Sequence, residues 1–208
     1  MSVPTMSEAQ LSVFGDVAHI RTLRMEATQR LLGDTIAWSD DDWQRPCRLP
    51  GWTRAHLGTH ITRNADALRE ALERALAGEL PSLYPSEERR IEDIERGSER
   101  SGLALQIDLD STEDRLSTRF KELLAPPAPA EALNAPFALF PGCEVPVALM
   151  PLARLHEVTV HHVDFDCGFE FRDVDSDAAE LLLSWHAYWL TVRECRPTCP
   201  ICRLNGES

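Results

Sequence analysis

The chain has 208 residues, 43% of them hydrophobic and 26% charged, with a formal net charge of -13. That is enough length for one sizeable core. No run approaches the ~20 apolar residues of a membrane span, and so acidic a chain lacks the basic footprint of a nucleic-acid binder. A small anionic ligand stays compatible, because a local arginine cluster can override the global field. The first residues, MSVPTMSEAQLSVFGD, show neither a basic n-region nor an apolar h-region, so the expected location is the cytoplasm.

In chain order, residues 8–33 place Leu11, Phe14, Val17, Ala18, Leu23, Leu31 and Leu32 mostly at helical spacing, with Gly33 as the expected stop. WSDDDWQRPCRLPG, residues 38–51, reads as a loop. Thr53 is then an N-cap for a second helix running to about Ala77 and closed by Gly78. ELPSLYPSEE is a turn, and a third helical pattern covers residues 86–124 with an interruption expected between Gly97 and Gly102. After a proline-rich connector, FALFPGCEVPVAL predicts a small hairpin around Pro141-Gly142. Pro151 suits the first turn of a fourth helix that Gly168 would stop, and a fifth helix is expected over 176–194. The β-branched run Val158, Thr159, Val160 favours a strand if read alone; the flanking pattern favours helix. Four main helices joined by short to moderate loops predict a mainly all-α fold, an antiparallel four-helix bundle over 1–168, with 169–208 as a C-terminal extension.

Five of the seven histidines fall in two groups, His56 with His60 on the second helix, and His156, His161 and His162 on the fourth. Glu157 and His161 are four apart, so both project from one helix face. A third ligand from a facing helix would complete a three-ligand site for zinc or another divalent metal, leaving a position open for water or substrate. The motif is E-x-x-x-H rather than H-E-x-x-H, which excludes the zincin arrangement. By spacing alone, chance clusters of exposed histidines remain the competing reading.

LPGWTRAHLGTHITRNADAL, YPSEERRIEDIERG and ARLHEVTVHHVDF, in that order, resemble the mycothiol-dependent maleylpyruvate isomerase family of the DinB-like superfamily, over roughly residues 8–168. The resemblance implies zinc held by His60, Glu157 and His161, with His56 outside the ligand set. It implies that Arg90 faces the cleft and binds a carboxylate, a task its guanidinium fork suits; neighbouring Arg89 is the alternative. Asn64, four after His60, shares that face and is a candidate ligand-binding amide or a structural one. Asp164, three after His161, could orient an imidazole or be a surface acid. His156 and His162 are poorly aimed at the same point.

The implied activity is cis-trans isomerisation of maleylpyruvate to fumarylpyruvate, with mycothiol as a returned thiol cosubstrate. The alternatives are a mycothiol S-transferase on the same scaffold and a non-catalytic DinB-like binding protein. The expected partners are a small anionic substrate and a low-molecular-weight thiol, with no nucleic acid and no membrane, in a monomer or homodimer. The family adds a small C-terminal α/β domain that supplies a further arginine, and no arginine at that position can be named in CPICRLNGES. The six cysteines are expected to be free thiols. Cys195, Cys199 and Cys202 form C-x3-C-x2-C, read as a chance cluster ahead of an adventitious metal site or disulfide.

Overall fold

Asp16 opens the first helix by accepting from the Ala18 N–H at 3.0 Å. This computed structural model describes residues 16–84, 86–123, 130–140 and 143–193. Helix α1, Val17–Thr35, buries Ile20, Leu23, Leu31 and Thr35 on one stripe and passes through Gly33, ending two residues beyond the expected stop. Leu11 and Phe14 lie outside the described residues. A short α2, Asp40–Trp43, is opened by a Ser39–Asp42 capping box. Helix α3, Arg54–Leu76, starts at Thr53 as expected, and Gly78 follows it with φ +85°, the left-handed conformation that suits glycine just past a helix end.

The long 86–124 pattern is two helices, α4 Glu87–Ser98 and α5 Gly102–Leu123. A Cβ on Gly97 would stand 2.3 Å from Thr59 Cγ2, so glycine lets α4 cross tightly over α3. Ion pairs Arg63–Asp108, Asp66–Arg115 and Glu73–Arg119 show that α3 and α5 run in the same direction. Parallel neighbours need a crossover, and α4 supplies it.

A short α6, Ala130–Leu133, leads into the expected hairpin, β1 Pro136–Phe140 and β2 Cys143–Pro146, with Phe137 opposite Val145 and Pro136 opposite Pro146. Residues 81–83 pair with the outer edge of β1: Ala138 N–H donates to Pro81 O at 2.9 Å and Leu83 N–H to Ala138 O at 3.2 Å. Helix α7, Met150–Asp164, has Pro151 in its first turn and keeps Val158, Thr159 and Val160 helical, because Val158 and Thr159 pack into the bundle interior. It ends four residues before Gly168. Helix α7 runs antiparallel to α3, pairing Arg154 with Asn64 at one end and Phe165 with Arg54 at the other. Helix α8, Ser176–Arg193, buries Ala178, Leu182 and Trp185 into the cluster that also holds Leu152 and Leu155.

Two apolar clusters fill the interior. One contains Leu23, Leu68, Leu72, Phe120, Leu152 and Trp185; the other contains Leu31, Trp43, Leu57, Ile61, Leu105 and Val158. Buried Arg24, Asn64 and Glu113 fall between the positions their helices give to the two clusters, and buried His60 and Arg154 lie within one turn of that boundary. Among the described residues, no helix is long and apolar enough to cross a membrane.

Candidate metal centre

The polar layer surfaces where α3 faces α7. His60 Nε2 lies 3.2 Å from Glu157 Oε2 and 3.2 Å from His161 Nε2, and His161 Nε2 lies 3.5 Å from Glu157 Oε2. Ligand atoms bound at about 2.0–2.1 Å to one tetrahedral ion stand roughly 3.3–3.4 Å apart, so these three atoms have the spacing of a shared first-row divalent metal. The donor types, two imidazoles and a carboxylate, suit zinc among others. The Glu157–His161 pair comes from one helical turn, and His60 arrives from the antiparallel neighbour.

The surroundings aim the donors. Asp164 Oδ2 accepts from His161 Nδ1 at 2.8 Å, which turns His161 Nε2 toward the centre. Burial pushes the Glu157 carboxyl up, but hydrogen bonds from His156, His161 and His60 outweigh it and hold the group well below its ordinary range. Burial likewise opposes charge on His161, yet Asp164 and Glu157 bring it up to about 9. His60 is lowered by burial above all. The site is thus a carboxylate facing one imidazolium and one neutral imidazole, and a metal ion would displace the His161 proton.

Arg90 of α4 reaches this centre and Arg89 does not. Arg90 Nη1 lies 3.5 Å from His60 Nδ1, while its Nε and Nη2 donate to Glu87 at 3.1 and 2.7 Å. Arg89 pairs with Asp93 on the exposed side of the helix. Asn64 does share the His60 face, but its amide is already engaged: Arg154 Nη1 donates to Oδ1 at 2.7 Å, and Nδ2 donates to Tyr84 Oη at 3.3 Å.

His56 stays out of the cluster for a local reason. Its Nδ1 accepts from the Thr53 N–H at 3.3 Å, a reach back to the helix N-cap, and its Nε2 lies 3.2 Å from Ser98 Oγ on α4. His162 points the other way, stacked on Phe169 with ring centroids 4.0 Å apart and with Nε2 3.0 Å from Asp34. His156 Nε2 meets His186 Nε2 of α8 at 3.2 Å. Cys47 and Cys167 are half-buried free thiols. Cys195, Cys199 and Cys202 lie outside the described residues.

Three neighbours went unrecognised in the sequence. Trp52, in the loop before α3, sets its ring 5.8 Å from that of His60. Tyr84 lies under the Arg90 guanidinium, whose Cζ is 5.7 Å from the ring centroid, and burial first, Glu157 second, push its phenol up to about 12. Arg154 is fully buried and anchors Asn64. All three stand inside the blocks that carry the family resemblance, but periodicity singles out none of them: Trp52 and Tyr84 lie in loops, and Arg154 looks like any arginine of an amphipathic helix.

Fold and site together define a mainly helical DinB-like bundle with a two-histidine, one-carboxylate donor set between two antiparallel helices. The sequence model of the mycothiol maleylpyruvate isomerase N-terminal domain matches residues 24–166, and the chain belongs to that family. Two crystal structures share its architecture, a mycothiol-dependent maleylpyruvate isomerase and a histidine-to-alanine mutant of it. Each is 26% identical with a TM-score of 0.73, over 80% of this chain and 68% of the other. Among curated proteins none matches the chain.

Proposed function

We propose that this chain is a metal- and thiol-dependent cis-trans isomerase that converts maleylpyruvate to fumarylpyruvate with mycothiol as cosubstrate. The observation that carries the reading is the convergence of His60, Glu157 and His161 at mutual spacings of 3.2–3.5 Å, in a chain of this family. Bound there, zinc or another divalent ion would supply the positive charge that keeps a thiol as thiolate at neutral pH. The thiol sulfur adds to the cis double bond, the resulting single bond rotates, and the thiol leaves unchanged.

The chain's own groups account for the rest. Asp164 holds the His161 tautomer. Trp52 sets an apolar ring beside His60. Arg90 takes a substrate carboxylate on the guanidinium fork that Glu87 now occupies, displacing or sharing that partner. With the carboxylate so held, the negative charge that develops on the substrate during addition faces a fixed guanidinium. No protein cysteine has to act as nucleophile.

The test begins with metal content. Purified protein is expected to carry about one divalent ion per chain and His60→Ala to lose most of it, with activity falling roughly 100-fold or more. Protein without any bound divalent ion, even after loading, refutes the reading. Incubation with maleylpyruvate, with and without mycothiol, then follows isomerisation directly. Thiol consumption on an electrophile panel without isomerisation assigns the transferase activity instead.

A further inference from the structure

Tyr84 is held at both ends. Its backbone follows residues 81–83, which pair with β1, and its Oη accepts from Asn64 Nδ2 at 3.3 Å. The direction of that bond is forced. Arg154 carries only donors, so Asn64 must turn Oδ1 toward it and Nδ2 toward the phenol. Arg154 cannot swing away, because it is fully buried and Glu113 accepts from both its Nε and Nη2. An amide Nδ2 cannot accept, so the Tyr84 proton must find another partner. The Arg90 guanidinium over the ring offers none, being donor-only as well. Glu157 lies close enough to act on the phenol electrostatically, yet its Oε2 faces His60 and His161 and its Oε1 faces His156.

We infer that Tyr84 Oη is a hydrogen-bond donor to the bound ligand, and that with Arg90 it forms a recognition edge for a 2-oxo acid: carboxylate on the guanidinium, keto oxygen on the phenol. The inference deepens the proposed isomerase reading, since maleylpyruvate ends in a 2-oxo acid and a grip on that end positions its double bond for the thiol. The phenol keeps its proton throughout and acts by donation. A donor fixed in advance by Asn64 and Arg154 needs no reorganisation when the keto oxygen arrives.

Zinc-loaded wild type and Tyr84→Phe are titrated calorimetrically with 2-oxoglutarate and with glutarate, which lacks the keto oxygen. The wild type is expected to prefer the oxo acid. Tyr84→Phe should cut that preference about tenfold while glutarate affinity and zinc content hold. Equal preference in both proteins, or none in the wild type, overturns the inference. So does a fall in zinc affinity in Tyr84→Phe, because the phenol would then serve Glu157. Isomerase activity of the wild type is scored separately: an inactive wild type refutes the functional reading, while the binding comparison still decides the role of Tyr84.

Discussion

His161 and His162 are consecutive yet live in opposite surroundings, because successive helical residues point about 100° apart. His161 meets two carboxylates and is drawn toward the charged form; His162 is buried against Phe169, and burial pushes it down to about 4 despite the carboxylate of Asp34. Folding therefore costs His162 its proton between its unfolded pKa near 6.5 and its folded value. Within that window the unfolded chain binds more protons, so stability is complete above about pH 6.5 and is lost as pH falls toward 4. Urea unfolding over this range should show a contribution on the order of 2 kcal/mol in the wild type that His162→Asn lacks. Identical pH slopes in the two proteins would contradict the assignment. At the same scale, His56 illustrates why spacing misleads: it shares a face with His60, but the helix N-terminus and Ser98 claim its two nitrogens.

The elements owe their positions to a few close approaches. Helix α4 joins two parallel helices and carries Arg90 over the centre, and its crossing depends on Gly97 against Thr59. Gly97→Ala would force a methyl into Thr59, a buried β-branched side chain with little freedom to move. The expected loss is about 1–3 kcal/mol in urea unfolding, with Thr59→Ala recovering part of it in the double variant; a neutral Gly97→Ala would mean that α4 sits farther out. The strand-like residues of α7 show the opposite balance. Local preference for β structure amounts to fractions of a kcal/mol per residue, whereas burying Val158 alone contributes about 1.5–3 kcal/mol. Packing wins, and the Glu157–His161 pair keeps its one-turn spacing.

Across the whole molecule, the layer between the two apolar clusters is where stability and site meet. Glu113 on α5 receives Arg24 of α1 and Arg154 of α7, all three side chains nearly inaccessible to solvent. Removing the carboxylate leaves two buried guanidinium groups uncompensated, so Glu113→Ala should cost about 3–5 kcal/mol, measured by chemical denaturation. The change also frees Arg154, and through it Asn64 and Tyr84. By itself the sequence determined the helical class, most helix starts, the hairpin, and the family motifs that marked His60, Glu157, His161 and Arg90. Those features rest on local spacing, caps and turn residues, all written within a few positions of one another. Only the tertiary structure decided that α3 and α5 run parallel, that Glu87 fills the Arg90 fork, and that Tyr84 stands beside the centre. Each of these depends on which helix lies against which, and residues such as Asn64, Tyr84 and Arg154, far apart in the chain, acquire their roles only once packing has brought them into one hydrogen-bonded chain.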